Sequence, residues 1–279
     1  MCGRSRATLS PQQVTAAAGV PLERWRNSEQ YQPSYNVSPG FSTPVVRQSS
    51  AGKPELQTMK WGLVPSYTKA GEKPDFFRMF NARSESVAEK GVFKRLLSRH
   101  RCVVLLNGFY EWAKEGKHKQ PYYIHMGTGE GDVIRMAGLF DCWDNGPEGP
   151  MYTYTILTTD SSKRLQWLHD RMPVILPDEA AAEQWLAGEA LDHKELSRIA
   201  EPYNGDDLRW HKVSPAMSNM RYQGADCAKE LKRESVASFF KPVAGKAKAT
   251  AEAAVQETSG RSSQAGREYS QAGKAQPIT

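Results

Sequence analysis

The chain has 279 residues, 39% of them apolar, with seven Trp, eleven Tyr and nine Phe, enough to build one domain around a substantial core. No window approaches the ~18 uninterrupted apolar residues of a membrane helix, and the opening MCGRSRATLSPQQ lacks the apolar stretch of a signal peptide, so a soluble intracellular protein is expected. The net charge is +6, but residues 241–279 alone hold six Lys/Arg and three Glu. Half the basic excess therefore sits in the tail, and any nucleic-acid site must be local rather than a broadly basic surface.

In chain order, the first informative residue is Cys2. A small residue at position 2 permits removal of Met1, which leaves an amine and a thiol on adjacent carbons. Such a 1,2-aminothiol condenses with an aldehyde to an imine and then closes a five-membered thiazolidine. Free groups of this kind titrate at roughly 8 and roughly 8.5, so both are partly reactive near neutrality. Gly3 allows close backbone approach, and Arg4 offers a guanidinium suited to a phosphate. The other cysteines, Cys102, Cys142 and Cys227, are far apart and form no CxxC pair. Neither a zinc site nor a disulfide framework is implied, and no metal or cofactor is expected.

Ser10-Pro11 predicts a helix through about Ala18. SYNVSPG at 34–40 marks a turn in which Asn36 and Pro39 are turn residues or contacts to a ligand. In MKWGLVPSY, 59–67, Trp61 and Tyr67 either stack unpaired bases or, for Trp61, pack in the core. In FNARSES, 80–86, an extended backbone would point Asn81 and Arg83 to one face. A helix is predicted around 87–99, and strands over 102–107, 121–126, 133–140 and 152–158. GFYEW delivers Glu111, whose aromatic neighbours suit a general acid/base, the alternative being a strand-end carboxylate facing water. LQWLHDRMPVIL holds His169-Asp170-Arg171 ahead of an apolar strand, His169 being a proton-transfer group or a structural one. Asp178 should cap a helix, and another is expected over 189–200. Consecutive strands with helices before and after predict an α+β fold with an antiparallel core.

Past the domain, expected over 2–230, KRESVASFFKP sets Val236, Phe239 and Phe240 at the spacing of a PCNA-interacting peptide, over 231–242, with Arg233 in place of the usual Gln. Such a peptide would place the protein at replication forks in a nucleus; without it the cytoplasm is the expectation. From 243 onward Ala, Gly, Ser, Gln and Lys dominate, the composition of a disordered tail.

Nine segments occur together in one order: MCGR at 1–4, YNVSPG at 35–40, WGLVPS at 61–66, NARSES at 81–86, GFYEW at 108–112, QPYYI at 120–124, MAGLFD at 136–141, LHDRMP at 168–173 and WHKVSPAMSN at 210–219. In order and spacing they resemble the SRAP (SOS response-associated peptidase) family over roughly residues 2–228. The resemblance implies a mixed α+β domain around a curved, barrel-like, mainly antiparallel sheet flanked by helices. It also implies a monomer that senses abasic sites in single-stranded DNA during the DNA damage response. Cys2 would form a thiazolidine crosslink with the ring-opened sugar, and Asn81 would orient its amine. Glu111 would serve as acid/base, and His169 would bond the opened sugar and assist reversal. Arg4, Arg83 and Arg171 would be phosphate contacts, with Asn36, Pro39, Trp61 and Tyr67 further DNA contacts. The family name also implies removal of Met1 by the protein itself, an autopeptidase step beside the lyase-like one. Two rivals use the same residues: a cysteine amidase or peptidase acting on peptides, and a non-catalytic single-stranded DNA adaptor.

Overall fold

The computed structural model describes residues 2–127, 132–146, 148–187 and 191–231. Val236, Phe239 and Phe240 and the tail from 243 onward lie outside the described residues.

β1 (Arg4–Ala7) is followed by α1 (Pro11–Ala18). Helix α1 starts where Ser10 and Gln13 form a reciprocal capping box and ends at Gly19, which takes the left-handed conformation at φ 61°. Short strands β2 (Trp25–Arg26) and β3 (Ser34–Val37) lead to the longer β4 (Ser42–Gln48) and β5 (Pro54–Trp61). Next come β6 (Asn81–Arg83), the single-turn helices α2 (Ser84–Val87) and α3 (Gly91–Lys94), and the strands β7 (Arg101–Leu106), β8 (Gly108–Glu115), β9 (His118–Met126), β10 (Ile134–Trp143) and β11 (Met151–Asp160). The described part closes with β12 (Arg171–Pro173), β13 (Ile175–Leu176), α4 (Glu179–Leu186), α5 (His193–Ile199) and β14 (Leu208–Lys212).

Five strands close a barrel in the order β11-β10-β7-β4-β5, and β5 returns to β11. Every seam is antiparallel except the last, where Thr153 and Tyr154 pair in parallel with Lys60 and Trp61. Its wall is apolar on both faces because these strands are rich in Val, Ile, Leu and aromatic residues: Val104, Leu105, Met136, Leu139, Tyr154 and Ile156 are all fully buried. A second, five-stranded sheet runs β14-β9-β8-β1-β3, all antiparallel. At its centre Gly108 lets β9 close in: a Cβ there would lie 2.4 Å from the Ile124 carbonyl and 2.7 Å from the Tyr123 ring. The fold is thus the expected α+β arrangement around a barrel of mainly antiparallel strands.

The four strands expected over 102–107, 121–126, 133–140 and 152–158 match β7, β9, β10 and β11, the first ending and the third beginning one residue outside its strand. The helix expected over 87–99 is a correction. Two single turns separated by Ala88–Lys90 stand in its place, and Gly91, a poor residue for a helix interior, falls where one continuous helix would have to run through. Asp178 does cap its helix, accepting from the Ala181 amide at 2.8 Å. No helix among the described residues is long and apolar enough to cross a membrane.

Candidate functional site

The chain start is positioned by the second sheet. Strand β1 pairs with β8 so that Arg4 faces Tyr110 and Ser5 faces Phe109. One step further along that register sets Gly3 across from Glu111, where no side chain intervenes. Cys2, just beyond, is 1% exposed and belongs to the barrel's apolar cluster. Its carbonyl accepts from the Asn81 side-chain amide at 2.8 Å, and its thiol points toward the Arg4 carbonyl at 3.9 Å. Burial, then the negative charge of Glu111, pushes the Cys2 thiol well above its ordinary value, while the chain's terminal charge works the other way. In the chain with Met1 still attached, burial therefore favours the protonated thiol.

Asn81 comes to the site because β6 lies in parallel beside β11, with Asn81 opposite Ile156 and Arg83 opposite Thr158. The segment is extended as expected, with Ala82 buried and Arg83 exposed. Asn81 engages the Cys2 carbonyl rather than its amine. Its Oδ1 is buried without a hydrogen-bond partner among the described residues, so an acceptor beside the terminus is still available for an N–H.

Glu111 is 6% exposed on β8, and the His169 Nε2 lies 4.0 Å from its Oε1. His169 follows the turns at 163–168, where its amide donates to the Leu165 carbonyl at 3.1 Å. Its Nδ1 meets two partners, the Arg171 amide at 3.1 Å and Asp170 Oδ1 at 2.6 Å. A bare Nδ1 accepts from Arg171, leaving the proton on Nε2 toward Glu111; a protonated Nδ1 donates to Asp170. One backbone amide and one side-chain carboxylate thus provide a partner for Nδ1 with or without its proton, as a proton-transfer group would require. Cys2, Asn81, Glu111 and His169, far apart in sequence, are brought into one neighbourhood.

The expected DNA contacts divide. Arg4 is 6% exposed, and its guanidinium donates to the Met217 and Ser218 carbonyls, both at 2.9 Å. Asn36, 0% exposed, donates to the carbonyls of Met217, Asn219 and Tyr222. Both expectations are corrected: these residues brace the 215–222 segment, whose buried carbonyls would otherwise lack donors. Trp61 is fully buried and donates to the Phe80 carbonyl at 2.9 Å, so core packing is its role. Gly62 holds that turn at φ 107°, where a Cβ would strike the Phe76 backbone. Pro39 is buried. Arg171 is also corrected as a phosphate contact: it is buried, held by Asp160 at 2.7 Å, Glu85 at 2.9 Å and the Thr158 carbonyl at 2.8 Å. Partial burial works to raise the Glu85 carboxyl, but the hydrogen bond and charge of Arg171 outweigh it and hold it below its ordinary value. Arg83 and the 68%-exposed Tyr67 remain open to a ligand.

Sequence reasoning passed over Trp167, 48% exposed and two residues before His169. The signal was present in QWLHD, a large aromatic on a turn next to a titratable group. A cavity of about 510 Å³ lined by Arg47, His100, Arg101, Phe140, Cys142 and Tyr152 contains none of the four clustered residues. Two of its arginines are engaged, Arg47 by Glu55 and Gln57 and Arg101 by the Trp185 and Leu97 carbonyls. Among the described residues no group of three His, Cys, Asp or Glu could hold a metal ion.

The family model for SOS response associated peptidase (SRAP) matches residues 1–220. The abasic site processing protein HMCES of Xenopus tropicalis is 36% identical over 262 residues, covering 81% of this chain and 77% of that protein. The abasic site processing protein YoqW of Bacillus subtilis is 34% identical over 221 residues, 78% of this chain and 95% of its own. A crystal structure of a protein from Bacteroides thetaiotaomicron superposes with a TM-score of 0.70 at 24% identity, over 83% of this chain and all of that one, a likeness of fold. The chain belongs to the SOS response associated peptidase (SRAP) family.

Proposed function

We propose that this chain processes abasic sites in single-stranded DNA by trapping the lesion's aldehyde on its N-terminal Cys2 as a thiazolidine. The observation that carries the proposal is the convergence of Asn81, Glu111 and His169 on the Cys2 backbone. The names borne by its relatives point to the same lesion.

After Met1 is removed, Asn81 holds the Cys2 carbonyl and offers Oδ1 to the amine. Glu111 takes the first amine proton as nitrogen attacks the aldehyde carbon and His169 protonates the oxygen to a hydroxyl; the second amine proton then passes to that hydroxyl, which leaves as water. The resulting imine would permit strand cleavage by β-elimination. The thiol then adds to the imine carbon, its proton ending on nitrogen, so aldehyde and aminothiol give thiazolidine and one water. A thiol that keeps its proton suits this order, because the amine attacks first and the sulfur closes the ring without net loss of charge. Burial of Cys2 also acts as a filter: a sugar lacking its base is small enough to approach, whereas an intact nucleotide or a folded peptide is not. Fixed geometry supplies several kcal/mol that free cysteine lacks.

The test is incubation with single-stranded DNA bearing one abasic site, then denaturing electrophoresis and intact mass. Wild type should give a heat-resistant shifted band and Cys2→Ala none, while Glu111→Ala slows its formation and His169→Ala changes its reversal. A peptidase acting on other chains would instead release new amines from peptides and ignore this DNA.

A further inference from the structure

Glu111 lies in one row of the second sheet with Tyr122 on β9 and Lys212 on β14: Glu111 pairs with Tyr122, and Tyr122 with Lys212. Directly paired residues on antiparallel strands project from the same face, with neighbouring strands about 4.8 Å apart. The row therefore runs about 10 Å outward from the carboxylate, ending at a lysine whose side chain is 45% exposed. The 163–168 turns lie across it. His169 meets Glu111 at 4.0 Å, and Trp167, from the same turns, meets Tyr122 edge-on at 4.9 Å between ring centroids. Trp210, paired with Ile124 beside this row, adds a third ring 6.0 Å from Trp167.

Trp167 is not held by burial. Nearly half of it reaches solvent, yet its indole N–H donates to the Arg164 carbonyl at 2.8 Å, fixing the ring. A large aromatic pinned in place and left wet is a poor core residue and a ready stacking surface. Cations are interleaved with the rings: the Arg164 guanidinium lies 5.3 Å over Trp210 and the Lys212 ammonium 5.8 Å over Tyr122. Their carboxylate partners, Asp206 and Glu115, are solvent-exposed. Exposed pairs of this kind bind weakly, so a phosphate can take their place.

We infer that Trp167, flanked by Tyr122 and Trp210 and by Lys212 and Arg164, is a stacking platform for the unpaired base of the nucleotide adjacent to the lesion. The inference rests on the proposed chemistry for the identity of the lesion, not for the binding of single-stranded DNA. A row of about 10 Å from the acid/base carboxylate to the lysine suits one nucleotide step. The abasic sugar would occupy the Glu111 end, and its neighbour would supply the base the lesion lacks.

Two arms test it on the full chain. In the first, fluorescence anisotropy measures binding of undamaged single-stranded DNA, a readout that needs no crosslink. Trp167→Ala should weaken it roughly tenfold, the loss of one stacked base, Trp167→Phe should retain most of it, and both should melt near the wild-type temperature. In the second, 2-aminopurine beside a single abasic site should be quenched by wild type and not by Trp167→Ala. Equal affinity of Trp167→Ala and wild type, or unaltered quenching, overturns the platform. An equal loss in Trp167→Phe and Trp167→Ala also overturns it, since the ring face would then not be what is used. Absence of a Cys2 adduct with normal Trp167-dependent binding would instead overturn the proposed chemistry alone.

Discussion

The barrel and the five-stranded sheet treat polar groups differently. The barrel strands bury neutral pairs such as Thr43 and Tyr154, which share a hydrogen bond of 2.7 Å, and also Glu55, Arg101 and Asp141, whose charges meet Arg47, the Trp185 carbonyl and Arg95, partners of fixed state. The second sheet carries charge in partly buried places, with Glu111 on one face and Arg4 on the other, 6% exposed each. The two charges are handled in opposite ways. Arg4 is held by carbonyls of the 215–222 segment, whereas Glu111 faces a histidine whose Nδ1 has both an amide donor, from Arg171, and a carboxylate acceptor, from Asp170. Burial alone therefore does not distinguish the two groups; their partners do.

The contrast can be broken or sharpened by substitution. Trp61→Ala should cost about 3–5 kcal/mol, because it empties a fully buried site in the barrel wall; thermal melting would show a large drop, and a drop below about 1 kcal/mol would contradict the core assignment. Arg4→Ala should cost about 1–3 kcal/mol by leaving the Met217 and Ser218 carbonyls without their donor. The salt dependence of its DNA binding should match wild type, and a shallower slope would restore Arg4 as a phosphate contact. Alkylation of Cys2 by iodoacetamide at pH 8, followed by peptide mass, should run roughly tenfold or more slower in the folded protein than in denaturant. The direction follows from the raised thiol: folded protein holds less thiolate than unfolded chain, and the gap narrows only as pH climbs through the folded value. Cys142, partly exposed and pushed up to about 11 by burial and Asp144, should label faster than Cys2. The smallest effect is expected at Arg83→Ala, within about 0.5 kcal/mol in stability because the side chain is exposed. Its DNA affinity should fall uniformly across sequences, with the salt slope reduced by about 0.7.

Much of this was legible in the sequence where local chemistry decides the outcome. Ser10 and Asp178 cap helices because their side chains satisfy amides three residues on, and the β-branched runs at β7, β10 and β11 have no other stable home. Cys2, Asn81, Glu111 and His169 were readable as reactive types in unusual settings. Their convergence was not, since it depends on the β1–β8 register and the parallel β6–β11 pairing, which no local pattern encodes. The roles of Arg4, Asn36 and Arg171 were misjudged for the same reason. An arginine's sequence neighbours do not reveal that a segment more than 200 residues away supplies its acceptors.

Cys2 packs among the same apolar side chains as the barrel strands, so it has no hinge of its own. Any loosening of that cluster, by warming or by a distant cavity, moves the sulfur and the amine out of register with their neighbours while most backbone ladders still hold. Chemical competence should consequently fade some degrees before the circular-dichroism melt begins, making the reactive end of the chain the most sensitive thermometer of its own core.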